Sequence, residues 1–216
     1  MAGRGTGVLK ALTHLVNTVT AELVSTNAKL KYMSLHDSLT GLYNRTFFEQ
    51  EVKRFDSLNA KVGVIICDLA FLKMLNDVLG HAVGDKALRS AADIIAGSCP
   101  EDAVVARIGG DEFAVLVDNA ELPMLADIRN KILTAAADDR CRNPESYLYL
   151  SVGFALKGNG ATKSIGDAIK MADANMYHHK LADKNKVRQE ISRHLQLGKA
   201  SHLAFGDSVH QNSRLL

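Results

Sequence analysis

A chain of 216 residues with 47% hydrophobic residues, 23% charged residues and only 3 prolines has the composition of one folded domain plus an appendage, which excludes a disordered chain and disfavours two full domains. The 26 basic and 24 acidic residues leave a net charge of +2, too small a surplus to drive non-specific binding to nucleic acid. Cys67, Cys99 and Cys141 are too widely spaced for a disulfide framework or a thiolate zinc site; the longest apolar run, Val62 to Cys67, falls far short of a membrane span, and no signal pattern opens the chain, so a cytoplasmic location is expected.

From the amino terminus, Leu9, Leu12, Val16, Val19, Leu23, Thr26, Leu30 and Met33 recur at alternating spacings of three and four. Such a narrow heptad seam is best buried against a second copy of itself, which predicts a dimerising coiled coil over 1–34; an amphipathic helix packed on its own domain is the alternative. Asn44 is placed to cap a helix carrying Phe47, Phe48, Val52 and Phe55. VGVIICDL (62–69) reads as a fully buried strand ending in a carboxylate. A helical stretch follows, broken at Gly80 and resumed over Gly84 to Gly97.

Val104 to Ile108 and Phe113 to Val117 flank Gly109, Gly110, Asp111 and Glu112, the pattern of a hairpin whose turn uses positive φ angles. Helices are expected over Met124 to Ala137 and Ile165 to Lys180, with a strand over Tyr147 to Ala155 between them. The order β-α-β-β-α-β predicts an α+β fold: a ferredoxin-like split βαββαβ antiparallel sheet with helices on one face, preceded by the coiled-coil helix. The domain is expected to span 35–188, followed by a helical extension and loose tail over 189–216.

Asp68 ends the first long strand, and Asp111 with Glu112 sits in the hairpin turn, so the topology can bring three carboxylates together. Grouped acids without His or thiolate favour a hard cation, Mg²⁺ or Mn²⁺, carrying a nucleotide phosphate. The same residues also read as a helix cap and two polar turn residues. Gly109 and Gly110 would let a ligand approach the backbone. The start of the helix after Asp68 would direct N–H groups at a phosphate, with Lys73, Lys180 and Lys184 placed to share that contact; solvated surface is the alternative for each lysine.

RIGGDEF (107–113), preceded by DSLTGLYNR (37–45) and DLAFLKMLNDVLGHAVGD (68–85) and followed by ADANMYHHK (172–180), resembles the GGDEF domains of diguanylate cyclases over most of the chain. The resemblance implies an enzyme of bacterial second-messenger signalling that condenses two GTP into cyclic di-GMP and two pyrophosphates. Two domains, each carrying one GTP, meet face to face in a homodimer, and each ribose 3′-hydroxyl attacks the opposite α-phosphorus. By position it implies Asp68 and Asp111 as metal ligands through their carboxylates and Leu69 through its carbonyl, with Glu112 assisting the metal site or the deprotonation of the hydroxyl. Asn76 and Asp85 would read guanine, Leu72 and Leu88 would wall the base, and Lys180 and Lys184 would contact phosphate.

Three departures from the pattern stand out. Lys184 replaces the commoner Arg, exchanging a bidentate fork for a point charge and implying weaker GTP affinity. Ala70 replaces the second Asp of D-x-D; strand alternation would put it on the side of Asp68, near the metal. That leaves a catalytically weak or inactive GTP-binding or partner-binding module as the alternative to an active cyclase. Pro100 and Ala103 stand where many relatives carry the inhibitory R-x-x-D site, so no product inhibition through that site is expected.

Overall fold

The computed structural model describes residues 3–58, 60–143, 145–158, 163–181 and 189. Lys184 and the tail expected beyond it lie outside these. In chain order the elements are α1 (Gly3–Leu35), β1 (Tyr43–Asn44), α2 (Arg45–Ser57), β2 (Val62–Leu69), α3 (Leu72–Leu79), α4 (His81–Ser98), β3 (Val104–Arg107), β4 (Glu112–Asp118), α5 (Leu122–Arg142) and β5 (Leu150–Leu156), followed by a helix over 165–181, here α6. The sheet order is β1-β3-β4-β2-β5. β3, β4, β2 and β5 pair antiparallel, the ferredoxin-like arrangement, and the two-residue β1 adds a parallel edge beside β3.

Local sequence accounts for most boundaries. Asn44 caps α2 by accepting from the Phe47 N–H at 3.0 Å. Gly80, at φ +87°, separates α3 from α4 with a backbone conformation that side-chain-bearing residues rarely adopt. Ser164 and Asp167 form a reciprocal capping box at the start of α6, each accepting from the other's backbone N–H at 3.1 Å.

Helices cover both faces of the sheet, not one. α3, α4 and α5 pack with Ile65, Cys67, Leu69, Phe113 and Val115; α2 and α6 pack with Val62, Val64, Ile66, Ala114 and Leu116. This is why every residue of β2 is buried: a central strand covered on two sides has no solvent face. Two strand glycines let helices come close. A Cβ on Gly63 would meet Leu125 Cδ2 of α5 at 2.4 Å, and one on Gly153 would meet the Met176 backbone N of α6 at 2.1 Å. The buried Lys157 ammonium reaches Asp56 Oδ1 at 3.2 Å, and that oxygen also accepts from the Ile165 N–H at 3.0 Å, tying β5 and α2 to the start of α6.

α1 stands apart from these cores. The seam residues Leu12, Val16, Val19, Leu23, Leu30 and Met33 are 46–64% exposed. Among the described residues, no helix is long and apolar enough to cross a membrane.

Candidate functional site

The site forms where β2 ends beside the hairpin turn. Asp68 lies opposite Glu112 of β4 and Ser151 of β5 in register, and the Leu69 N–H donates to the Asp111 carbonyl at 2.9 Å. The end of the first long strand is thus fastened to the DEF turn. Asp68 is only 5% exposed, and Lys180 of α6 donates to both of its carboxylate oxygens at 2.8 Å. Burial pushes the Asp68 carboxyl above its ordinary pKa; the Lys180 ammonium works against this, and the charges of Asp111 and Asp173 add to it. A buried carboxylate so placed requires a cation nearby.

The three acids do not close into a metal cage. Among the described residues no group of three or more His, Cys, Asp or Glu side chains gathers to hold an ion. Lys180 occupies Asp68, and Glu112 folds back beneath the turn, where a Cβ on Gly109 would come within 2.6 Å of Glu112 Oε2. Neither Gly109 nor Gly110 has a positive φ, contrary to the hairpin expectation. The small residue at 109 makes room for the Glu112 carboxylate, whereas Gly110 faces open space.

Asp37, Thr40 and Arg107 hold the turn, and no role for them follows from the local sequence. Arg107 donates to Asp37 Oδ1 and Oδ2 at 3.1 and 3.3 Å and to the Gly110 carbonyl at 2.8 Å. Asp37 also accepts from the Thr40 N–H and hydroxyl. Burial would raise the Asp37 pKa, but the hydrogen bonds from Thr40 and Arg107 outweigh it and hold the carboxyl below its ordinary value. A lowered pKa means that this stabilisation is present in full above the unfolded-state value and is lost as pH falls through the folded-state value. Stability measured by urea midpoint should therefore drop below about pH 4 in the native protein, and Asp37→Asn should remove that part of the acid dependence. Asp37→Ala, which takes the counter-ion from a mostly buried guanidinium and leaves it the Gly110 carbonyl, should cost about 2 kcal/mol at neutral pH.

Midway along α3, the Asn76 amide oxygen is buried without a hydrogen-bond partner. It sits over Gly84, where a Cβ would come within 1.8 Å of it, and Asp85 follows on α4. An orphaned buried acceptor is costly unless something supplies a donor. Leu72 and Leu88 are buried in the adjoining core. Phe71, in the left-handed conformation, begins α3 without a side-chain cap, so the first N–H groups of that helix receive nothing from its side chain. Lys73 is exposed.

Ala70 follows the last residue of β2 and leaves the strand alternation. Its N–H donates to the Tyr149 carbonyl at 2.8 Å, and its side chain packs in the core cluster on the α3–α5 face. The expectation that it projects on the same side as Asp68 is corrected accordingly.

The sequence matches the family model described as diguanylate cyclase, GGDEF domain, over residues 34–186. The chain belongs to the GGDEF family. Over 159 residues, 69% of the chain, it is 36% identical to the cyclic di-GMP phosphodiesterase PdeR of Escherichia coli, covering 23% of that protein. Over 101 residues, 45% of the chain, it is 44% identical to the diguanylate cyclase TpbB of Pseudomonas aeruginosa, again covering 23% of that protein. The chain therefore spans about a quarter of the length of these two relatives. It shares its fold with the coiled coil and GGDEF domain of DgcB from Caulobacter crescentus, solved in complex with c-di-GMP, at a TM-score of 0.69 and 24% identity, covering 81% of this chain and 95% of that one. Its GGDEF turn is the one pinned by Arg107 and Asp37.

Proposed function

We propose that the chain is a cytoplasmic diguanylate cyclase that works as a homodimer, each GGDEF domain holding one GTP. The observation that carries this reading is the unpartnered Asn76 oxygen over Gly84, the residue before Asp85, on the same α3–α4 unit that begins at the end of β2 next to Asp68 and the GGDEF turn. An amide and a carboxylate together suit guanine, whose N1–H and exocyclic amine are paired donors that adenine lacks.

Asp68, Asp111 and the Leu69 carbonyl offer hard oxygen ligands, and their small number suits Mg²⁺ or Mn²⁺ completed by phosphate oxygens and water. Such an ion, when bound, neutralises phosphate charge and lowers the pKa of the attacking hydroxyl. The chain's own residues do the rest. Asn76 and Asp85 orient the base, and the uncapped start of α3, with Lys180, Lys73 and Lys184, binds the triphosphate. Glu112, opposite Asp68, assists deprotonation of the 3′-hydroxyl. Each hydroxyl forms a bond to the opposite α-phosphorus as the bond to pyrophosphate breaks, so two GTP yield one cyclic di-GMP and two pyrophosphates. Incubation with GTP and Mg²⁺ followed by chromatography should show these products in that ratio; nucleotide binding without product would support the second reading below.

Neither protomer contains both reacting nucleotides, so holding two domains together is itself catalytic. The exposed seam of α1 supports a coiled coil in that role. Removing residues 1–33 should lower the specific activity at least about tenfold at nanomolar protein, with recovery as concentration rises. Activity independent of both truncation and concentration would remove α1 from the mechanism.

A second reading, a GTP-binding or partner-binding regulatory module with little turnover, is favoured by Ala70 and by the Lys180 ammonium on Asp68. The likeness to a relative named as a phosphodiesterase fits either reading.

A further inference from the structure

Lys180 of α6 donates to both carboxylate oxygens of Asp68 at 2.8 Å. The carboxylate is nearly buried, whereas the lysine side chain is 39% exposed, so of the two partners the lysine is the one able to turn away. A divalent ion at Asp68 must take at least one of the same two oxygens. The ammonium and the ion therefore compete for one carboxylate, and side by side on it they would repel at close range.

Neither can move alone. The charges of Asp111 and Asp173 already oppose the ionisation of Asp68, so withdrawing Lys180 with nothing in its place would leave a buried, uncompensated carboxylate among acids. An arriving ion, for its part, meets oxygens that are already taken. What releases the ammonium is a second anion within its reach. Lys180 also lines a cavity of about 480 Å³ at the 70–71 turn, where the chain enters α3. A lysine carries its charge on a flexible stem, so the ammonium can swing from Asp68 into that space while α6 stays in place. A triphosphate at the start of α3 offers it oxygens there.

We infer that Lys180 is the resident counter-ion of Asp68 and is exchanged for the metal: the ammonium passes from the carboxylate to the triphosphate as the divalent ion takes its place, so the ion binds with the nucleotide and not before it. This rests on the proposed function, which puts the ion at Asp68 and the phosphates near Lys180. The exchange leaves no charge unpaired, and each ligand favours the binding of the other by the same factor. Bare divalent ions are thereby kept from the site, which is reserved for the ion together with its nucleotide.

Titration of the full chain with Mn²⁺ alone, followed by electron paramagnetic resonance, tests the inference without nucleotide or turnover. The native chain should bind the bare ion weakly. Lys180→Gln should bind it at least about tenfold more tightly, Lys180→Arg should stay as weak as the native chain because it keeps the charge, and adding Asp68→Asn to Lys180→Gln should remove the gain. With Mn²⁺ and a GTP analogue resistant to turnover together, the effect should reverse: calorimetry should show Lys180→Gln binding the complex about tenfold more weakly than the native chain, its phosphate contact being lost. A lysine that merely supports the fold would move both affinities the same way. Should Lys180→Gln fail to fold, Lys180→Met decides in its place. Native affinity for bare Mn²⁺ in the glutamine variant, or a gain that survives Asp68→Asn, would overturn the inference. The predicted gain for the bare ion with no analogue bound by either chain would instead overturn the proposed function and leave the competition for Asp68 standing.

Discussion

Asp68→Asn is expected to abolish cyclic di-GMP formation while leaving the fold intact. The asparagine keeps the shape but loses the charge on which the proposed metal site depends, and a loss of at least about a thousandfold in turnover, about 4 kcal/mol of transition-state stabilisation, should follow. Folding should respond in the opposite sense or not at all. The carboxylate is almost fully buried and its pKa is already raised by that burial, so neutralising it relieves a desolvation cost. The partner lysine side chain is 39% exposed and can turn to water. Measuring product formation and the urea midpoint together checks both halves. A variant that retains turnover removes Asp68 from the chemistry; one that loses both turnover and stability would assign it a structural role.

Gly153→Val should destabilise the fold more than either Asp68→Asn or Asp37→Ala. A Cβ at 153 would lie 2.1 Å from the Met176 N and 2.2 Å from the Ala172 carbonyl oxygen. These are backbone atoms, so no rotamer change relieves the clash, and α6 must lift from β5. Lifting it exposes Ile165, Ala168, Ala172 and Met176, all buried on that face, and withdraws Lys180 from Asp68. The expected cost is at least about 4 kcal/mol, read as a shift in urea midpoint. Gly97→Ala provides the contrast: nothing lies within 4 Å of its Cβ position, and replacing a glycine within α4 should stabilise by about 0.5–1 kcal/mol. Equal behaviour of the two substitutions would show that α6 does not seat on Gly153.

The strands, the hairpin, the break at Gly80 and the cap at Asn44 were legible in the sequence because each depends on neighbours a few residues away. What depends on packing was less legible. The unbroken apolar run of β2 signals cover on both faces, a cue that conflicts with helices on one face only and that the structure follows. Two adjacent glycines suggested positive φ, but the need at 109 is for space beside Glu112. Strand alternation carried Ala70 to the wrong side because β2 ends one residue earlier. The clamp between Asp37 and Arg107 joins positions 70 residues apart, and no local periodicity reports it. At the site, the neighbourhood of Asp68 and the GGDEF turn follows from topology alone, whereas the Lys180 pair and the orphaned Asn76 oxygen require side-chain positions.

In the proposed function GTP is held by a divalent ion at Asp68 and Asp111 and is read through its guanine by Asn76 and Asp85. Calorimetric titration of the intact chain with a GTP analogue resistant to turnover, with Mg²⁺ and then with excess EDTA, and in parallel with the matching ATP analogue, tests it most directly. One GTP analogue should bind per chain, with an affinity that collapses on chelation and at least about a hundredfold preference over the adenine analogue. Binding of equal strength without the metal, or of both bases alike, would contradict it.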